Sequence, residues 1–115
     1  MRINEYNSLE EFTSQYTGIW GPSEGQWFGL DFIFNGTEYR FNTGSMYEKN
    51  NTVLPDGRVA IFGIYRKNAR KIGGKLYTLL EEFATMEEAL ESICIEGVKF
   101  RDVIMDDETE LVGQD

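Results

Sequence analysis

Four carboxylates stand within five residues near the C-terminus, at Asp106, Asp107, Glu108 and Glu110. Such a cluster can bind a metal ion, imitate the phosphates of a nucleic acid, or remain solvated. A calcium loop of the EF-hand type needs ligands at alternate positions around a central glycine, and "DDETELVGQD" lacks that spacing. We therefore expect neither a metal nor another cofactor, and we interpret the run as a solvated acidic tail.

Phosphate mimicry is the sharper alternative for the acidic residues. A protein that blocks a nucleic-acid-binding enzyme can present carboxylates where the enzyme expects phosphates, because the same electrostatics steer both toward a basic groove. The candidate acidic surface consists of Glu87, Glu91, Asp106, Asp107 and Glu108.

A basic segment stands apart from this acidic end. The net charge is −9, yet residues 58–75 contain six basic residues and no acid. Arg66, Arg70 and Lys71 are candidates for binding an anion or an acidic partner, although the segment lacks the "GxxxxGK[ST]" pattern of a phosphate loop. The alternative is a flexible hairpin loop whose charges keep sheet edges from pairing with neighbours.

Aromatic residues in two loops form a third candidate site. Trp20 and Trp27 flank a glycine-rich stretch, and Tyr47 lies in the next polar loop. Trp and Tyr are enriched in binding hot spots, but they also cover the margins of small cores. The three residues are therefore candidates for a ligand pocket or a partner surface.

Several chemistries are excluded by composition. The chain contains no histidine and one cysteine, Cys94, so catalytic triads with histidine, histidine-containing zinc sites and internal disulfides are ruled out. No catalytic residue can be named, and the balance favours a non-enzymatic role. The acidity argues against direct binding of nucleic acid and against an anionic membrane.

Length and hydropathy predict a single domain over residues 1–115. No apolar stretch is long enough to cross a bilayer, and "MRINEYNSLEEF" has no apolar region of a secretory signal. We expect a cytoplasmic protein of bacterial type.

The clearest local pattern is a β-hairpin in "WFGLDFIFNGTEYRFN". Asn35-Gly36 between two β-rich runs is typical of a two-residue type I′ turn. Pairing outward from this turn puts Phe32 opposite Tyr39 on an apolar face. On the other face, it puts Asp31 opposite Arg40 as an ion pair.

Other elements follow from periodicity and turn signals. A helix is predicted over 7–16, strands over 59–65 and 76–83, and a basic hairpin loop over 66–75 between them. Thr85 and Glu88 have capping-box spacing and predict a second helix with Met86, Ala89, Leu90 and Ile93 on its apolar face. Residues 93–104 are predicted to form a short extended piece that turns at Glu96-Gly97, with Val98, Phe100 and Val103 partly buried.

These elements predict an α+β fold: a four-stranded antiparallel β-meander flanked by two short helices, in the order α-β-β-β-β-α, plus an acidic C-terminal tail. The third and fourth strands are apolar without alternation, which predicts cover on both faces, from the tail or from another subunit.

The favoured function is a non-catalytic protein–protein interaction or regulatory module, of bacterial or mobile-element immunity or inhibitor type. A protein partner is expected, and self-association is a further expectation. The alternatives are a small-ligand-binding protein or minor enzyme with a pocket near the aromatic loop, and an acidic nucleic-acid mimic.

Overall fold

The computed structural model describes residues 29–44, 46–47 and 52–114. The helix predicted over 7–16 and the candidate residues Trp20 and Trp27 lie outside these ranges. The described part is an α+β fold with one antiparallel sheet and two short helices. No described helix is long and apolar enough to cross a membrane.

The first hairpin has the predicted turn and register. Strands β1 (Gly29–Phe34) and β2 (Thr37–Thr43) pair with Phe32 opposite Tyr39 and Asp31 opposite Arg40. Asn35 and Gly36 have φ values of 52° and 78°, as a type I′ turn requires. One face of the hairpin is therefore apolar and buried, while the other carries the ion pair.

The sheet has five strands, so the predicted count of four is wrong. Strand β3 (Phe62–Ile72) follows β2, and β4 (Lys75–Phe83) follows β3 through a turn at Gly73-Gly74. The first four strands form the predicted meander. The fifth, β5 (Glu110–Gln114), returns to pair with β1, which gives the order β4-β3-β2-β1-β5.

The segment predicted as a solvated tail therefore includes a sheet strand. Asp106 accepts a hydrogen bond from the Glu108 amide at 2.8 Å, and this contact turns the chain after the second helix. Thr109 is fully buried and donates to the Val103 carbonyl at 2.6 Å, so the backbone is anchored immediately before β5. Leu111 then packs into the core.

Helix α1 (Met86–Glu91) begins at the predicted capping box. The Thr85 hydroxyl accepts from the Glu88 amide at 3.2 Å and also contacts the Glu88 carboxylate at 3.0 Å. Met86, Ala89 and Leu90 are buried as predicted. The assignment of Ile93 to the apolar face is wrong: the helix ends at Glu91, and Ile93 is 61 % exposed.

Helix α2 (Phe100–Met105) replaces the extended piece predicted there. The predicted turn at Glu96-Gly97 is present, with φ values of 54° and 76° and a bridge between Ile95 and Val98. Phe100 and Val103 are fully buried, where partial burial was predicted. Their packing against the sheet stabilises a helix of six residues, which would be marginal alone.

Aromatic contacts join α2 to the inner face of the sheet, which is the face covered by the two helices. The Phe100 ring lies 4.8 Å from the Phe41 ring and 5.9 Å from the Phe32 ring, measured between centroids. Phe41 also stacks on Phe62 at 5.6 Å. These rings form the centre of the core. Both helices and all five strands contribute side chains to the core, although β4 does so only through its second half.

Replacing Phe100 with alanine should therefore lower the free energy of unfolding by about 3–5 kcal/mol, because it removes a buried ring and leaves a cavity. Ile93→Ala is the control, since its side chain is largely exposed, and it should change stability by less than about 0.5 kcal/mol. Urea denaturation measures both. Similar losses in the two variants would contradict the burial of Phe100 and the exposure of Ile93.

Candidate interaction surface

The basic arm is the part of the β3–β4 hairpin from Arg66 to Lys75. Strand β2 pairs with β3 over five residues of each strand, from Phe62 to Arg66 of β3, so the arm continues beyond this overlap as β3 and β4 alone. Gly73 and Gly74 close it with φ values of 57° and 81°, which glycine adopts without steric cost. The segment predicted as a hairpin loop is therefore an extension of two strands.

An irregularity in β3 shapes the arm. Lys67 pairs with Tyr77 and Ile72 pairs with Lys75, so residues 68–71 of β3 stand opposite Leu76 alone. The excess residues bulge from the ladder. Arg70 and Lys71 belong to this bulge, and both are exposed.

Asn68 attaches the bulge to β4. Its side chain is 8 % exposed, and its amide nitrogen donates to the Lys75 carbonyl at 3.2 Å. Its amide oxygen accepts from the Thr78 hydroxyl at 2.8 Å. Both polar groups of this buried side chain are hydrogen-bonded, so Asn68 holds in place a stretch of β3 backbone that lacks regular pairing with β4.

The arm contains cations without carboxylate partners. Arg66, Arg70 and Lys71 form no ion pair with any residue that the structure describes, while Lys67 contacts Glu38 at 3.4 Å. Elsewhere in the described ranges each cation is paired. These pairs are Arg40 with Asp31, Arg58 with Asp56 and Glu88, and both Lys99 and Arg101 with Glu91.

The arm also contains a shallow depression of about 510 Å³, lined by residues 66–72. The lining residues include Arg66, Arg70 and Lys71, together with Ile72. Ile72 is 61 % exposed at the tip. The surface therefore combines positive charge with an apolar end.

Tyr47 lies at the base of this arm. Its hydroxyl accepts a hydrogen bond from the Tyr77 amide at 2.9 Å, and the Lys75 ammonium lies 5.0 Å from its ring centroid. Its ring also meets the Tyr65 ring edge-on at 6.4 Å. Three of the predicted binding residues, Arg66, Arg70 and Lys71, thus share one hairpin, and Tyr47 contacts the same hairpin from the side.

A polar network covers the outer face of the sheet, the face opposite the helices. Arg40 donates to Asp31 at 2.9 Å and to Asn42 at 3.2 Å, and the Tyr77 hydroxyl lies 3.4 Å from Asp31. Burial and the charges of Asp31 and Glu38 raise the pKa of Tyr77. Because these groups bond to one another, the network supports the sheet more readily than it offers groups to a ligand.

The outer face of β3 is covered as well. Phe62, Gly63, Ile64 and Tyr65 are all buried, so both faces of this strand are covered over its first half. The Tyr65 ring lies over Gly63, where an added Cβ would stand 2.9 Å from a ring carbon. The Met46 amide donates to the Tyr65 hydroxyl at 3.0 Å. The loop after β2, and not the C-terminal segment, thus provides cover here.

The candidate acidic residues are divided between α1 and the turn before β5. Glu87 is exposed on α1, and Asp107 and Glu108 are exposed in the turn that Asp106 caps. Glu91 accepts from Lys99 at 3.0 Å and also pairs with Arg101.

Ion pairing compensates part of this acidic surface. The hydrogen bond from Lys99 lowers the pKa of Glu91, and the bonds from Arg58 lower the pKa of Glu88. Two of the three carboxylates of α1 are therefore neutralised by neighbours, which weakens the case for a surface of free carboxylates.

Two further kinds of site receive no support in the described ranges. These residues contain no cluster of three or more carboxylate or thiol groups positioned to hold a metal ion. Burial raises the pKa of the Cys94 thiol, whereas an activated thiol nucleophile needs a lowered one.

Asn68, Thr78 and Tyr77 are parts of this surface that residue types alone did not identify. No local pattern distinguishes them, because Asn68 lies among basic residues, and Tyr77 and Thr78 lie within a strand-like run. No family model, curated protein or solved structure matches the chain.

The Asn68 contacts yield a stability prediction. Asn68→Ala and Thr78→Val should each lower the free energy of unfolding by about 1–2 kcal/mol, because each leaves a partner unbonded. The double variant should lose less than the sum of the two, since both remove the same hydrogen bond. Urea denaturation of the four proteins measures this coupling, and strictly additive losses would show that the bond is not made.

Proposed function

We propose that this chain is a protein–protein interaction module that binds an acidic segment of a partner through the basic arm. The observation that carries the proposal is the distribution of ion pairs. In a chain of net charge −9, the described cations outside the arm have carboxylate partners, yet Arg66, Arg70 and Lys71 pair with no carboxylate among the described residues.

Intramolecular pairing of these cations would have been easy to achieve. Acids outnumber bases by 20 to 11 in the chain, so a shortage of carboxylates does not explain why Arg66, Arg70 and Lys71 pair with none of those that the structure describes. Exposed ion pairs contribute little to stability, and unpaired charges contribute to the rate and specificity of association. The pattern therefore supports recognition of an opposite charge.

A protein segment fits the arm better than a nucleic acid does. The cations occupy one short hairpin, while the rest of the chain is strongly acidic and would repel a long polyanion. The exposed Ile72 at the tip adds an apolar contact. An acidic peptide with interspersed apolar residues satisfies both features within the length of the arm.

The test is a titration with a labelled peptide of glutamate and leucine residues, followed by fluorescence anisotropy. Wild type should bind, and added salt should weaken binding because exposed charges are screened. Arg70→Gln with Lys71→Gln should weaken binding about tenfold, given the usual energies of such contacts.

The control pair is Val53→Glu with Ile93→Glu. It makes the net charge more negative by the same amount at exposed positions outside the arm, and it should leave the affinity within about twofold. Equal losses in the two pairs would mean that net charge alone governs binding. Tighter binding to a duplex DNA of matched charge would contradict the proposal and indicate that the partner is a nucleic acid.

A further inference from the structure

Strand β4 forms one edge of the sheet. Among the described residues it has a strand neighbour on one side only, and it contains no proline. Leu76 and Leu79 are 38 % and 43 % exposed on this strand. An exposed edge with apolar side chains is a template for pairing with another strand.

Charge is distributed unequally along this edge. The strand begins at Lys75 in the basic arm and has Glu81 and Glu82 immediately before its last residue, Phe83, and Glu87 follows on α1. The first half is therefore positive and the second half negative. A complementary partner strand must place negative residues beside the first half of β4 and positive residues beside the second half.

Strand β4 itself meets this requirement. When two copies pair antiparallel about a two-fold axis, the positive half of each strand lies beside the negative half of the other. Parallel pairing would instead place like charges together. Two-fold symmetry is also the commonest arrangement of soluble homo-oligomers, and it makes each contact occur twice.

We propose that two copies of this chain associate through antiparallel pairing of their β4 edges, with Lys75 of each copy facing Glu82 of the other. Both side chains project on the outer face of the sheet. Glu82 pairs with Gly63, and Leu79 pairs with Tyr65 on that same face. Lys75 contacts the ring of Tyr47 there. Leu76 and Leu79 lie between the two charged positions and lose solvent exposure on pairing.

This inference is independent of the acidic partner proposed above. The two proposed surfaces share only Lys75, the last residue of the basic arm. The β4 edge is changed without the arm by Glu82→Lys, and the arm is changed without the β4 edge by Arg70→Gln with Lys71→Gln on β3. Loss of one association therefore leaves the other measurable.

Sedimentation equilibrium over a concentration series tests the pairing. Wild type should approach twice the 13.3 kDa mass of the single chain. Lys75→Glu and Glu82→Lys should each weaken self-association about tenfold, because each creates two like-charge contacts across the axis. An equimolar mixture of the two variants should recover the wild-type association, since opposite charges then face each other at both contacts.

Lys99→Glu is the matched control, because it makes the same charge change as Lys75→Glu at an exposed position outside β4 and the basic arm, and it should leave the association unchanged. A mass of 13.3 kDa at every concentration would overturn the proposal. A dimer insensitive to Lys75→Glu and Glu82→Lys, or variants that the mixture does not rescue, would place the interface elsewhere.

Discussion

The register of the first hairpin is the constraint on which the rest of the structure depends. Asn35 and Gly36 adopt positive φ, and this two-residue turn determines which residues of β1 and β2 face the helices. A shift of one residue would move every aromatic side chain from the core to the outer face. Both the ring cluster around Phe100 and the Asp31–Arg40 pair on the opposite face follow from this register.

From this hairpin, the sheet extends outward in both directions. Strand β3 pairs with β2 up to Arg66 and then continues beyond it, so the basic residues are carried past the part of the sheet that the helices cover. The core contains side chains from the first half of β3, while the second half is exposed except for Asn68. The first half of β3 thus contributes to the core, and its second half contributes to the candidate interaction surface.

The acidic end and the basic arm differ in how far their charged side chains form ion pairs. The carboxylates of α1 at Glu88 and Glu91 are held by Arg58, Lys99 and Arg101, which reduces the free charge of the acidic end. The basic arm has fewer such contacts. Part of the acidic surface is thus compensated by neighbouring cations, and this supports the proposed role of the arm over phosphate mimicry.

Local patterns predicted the hairpin register and the capping box at Thr85, because each depends on residues close together in the sequence. Helix α2 and strand β5 were missed for a common reason. Both are short, and their stability comes from distant contacts: Phe100 against the sheet, and Leu111 in the core. The bulge at residues 68–71 depends on hydrogen bonds from Asn68 to β4, which no local pattern reveals.

The central claim is that the cations are presented on an ordered arm and not on a flexible loop. Backbone ¹⁵N relaxation of the free protein tests it most directly. An ordered arm predicts order parameters of about 0.85 for residues 68–72, similar to those of the paired strands. Values below about 0.6 in this segment would contradict it, because Asn68 would then not hold the bulge against β4.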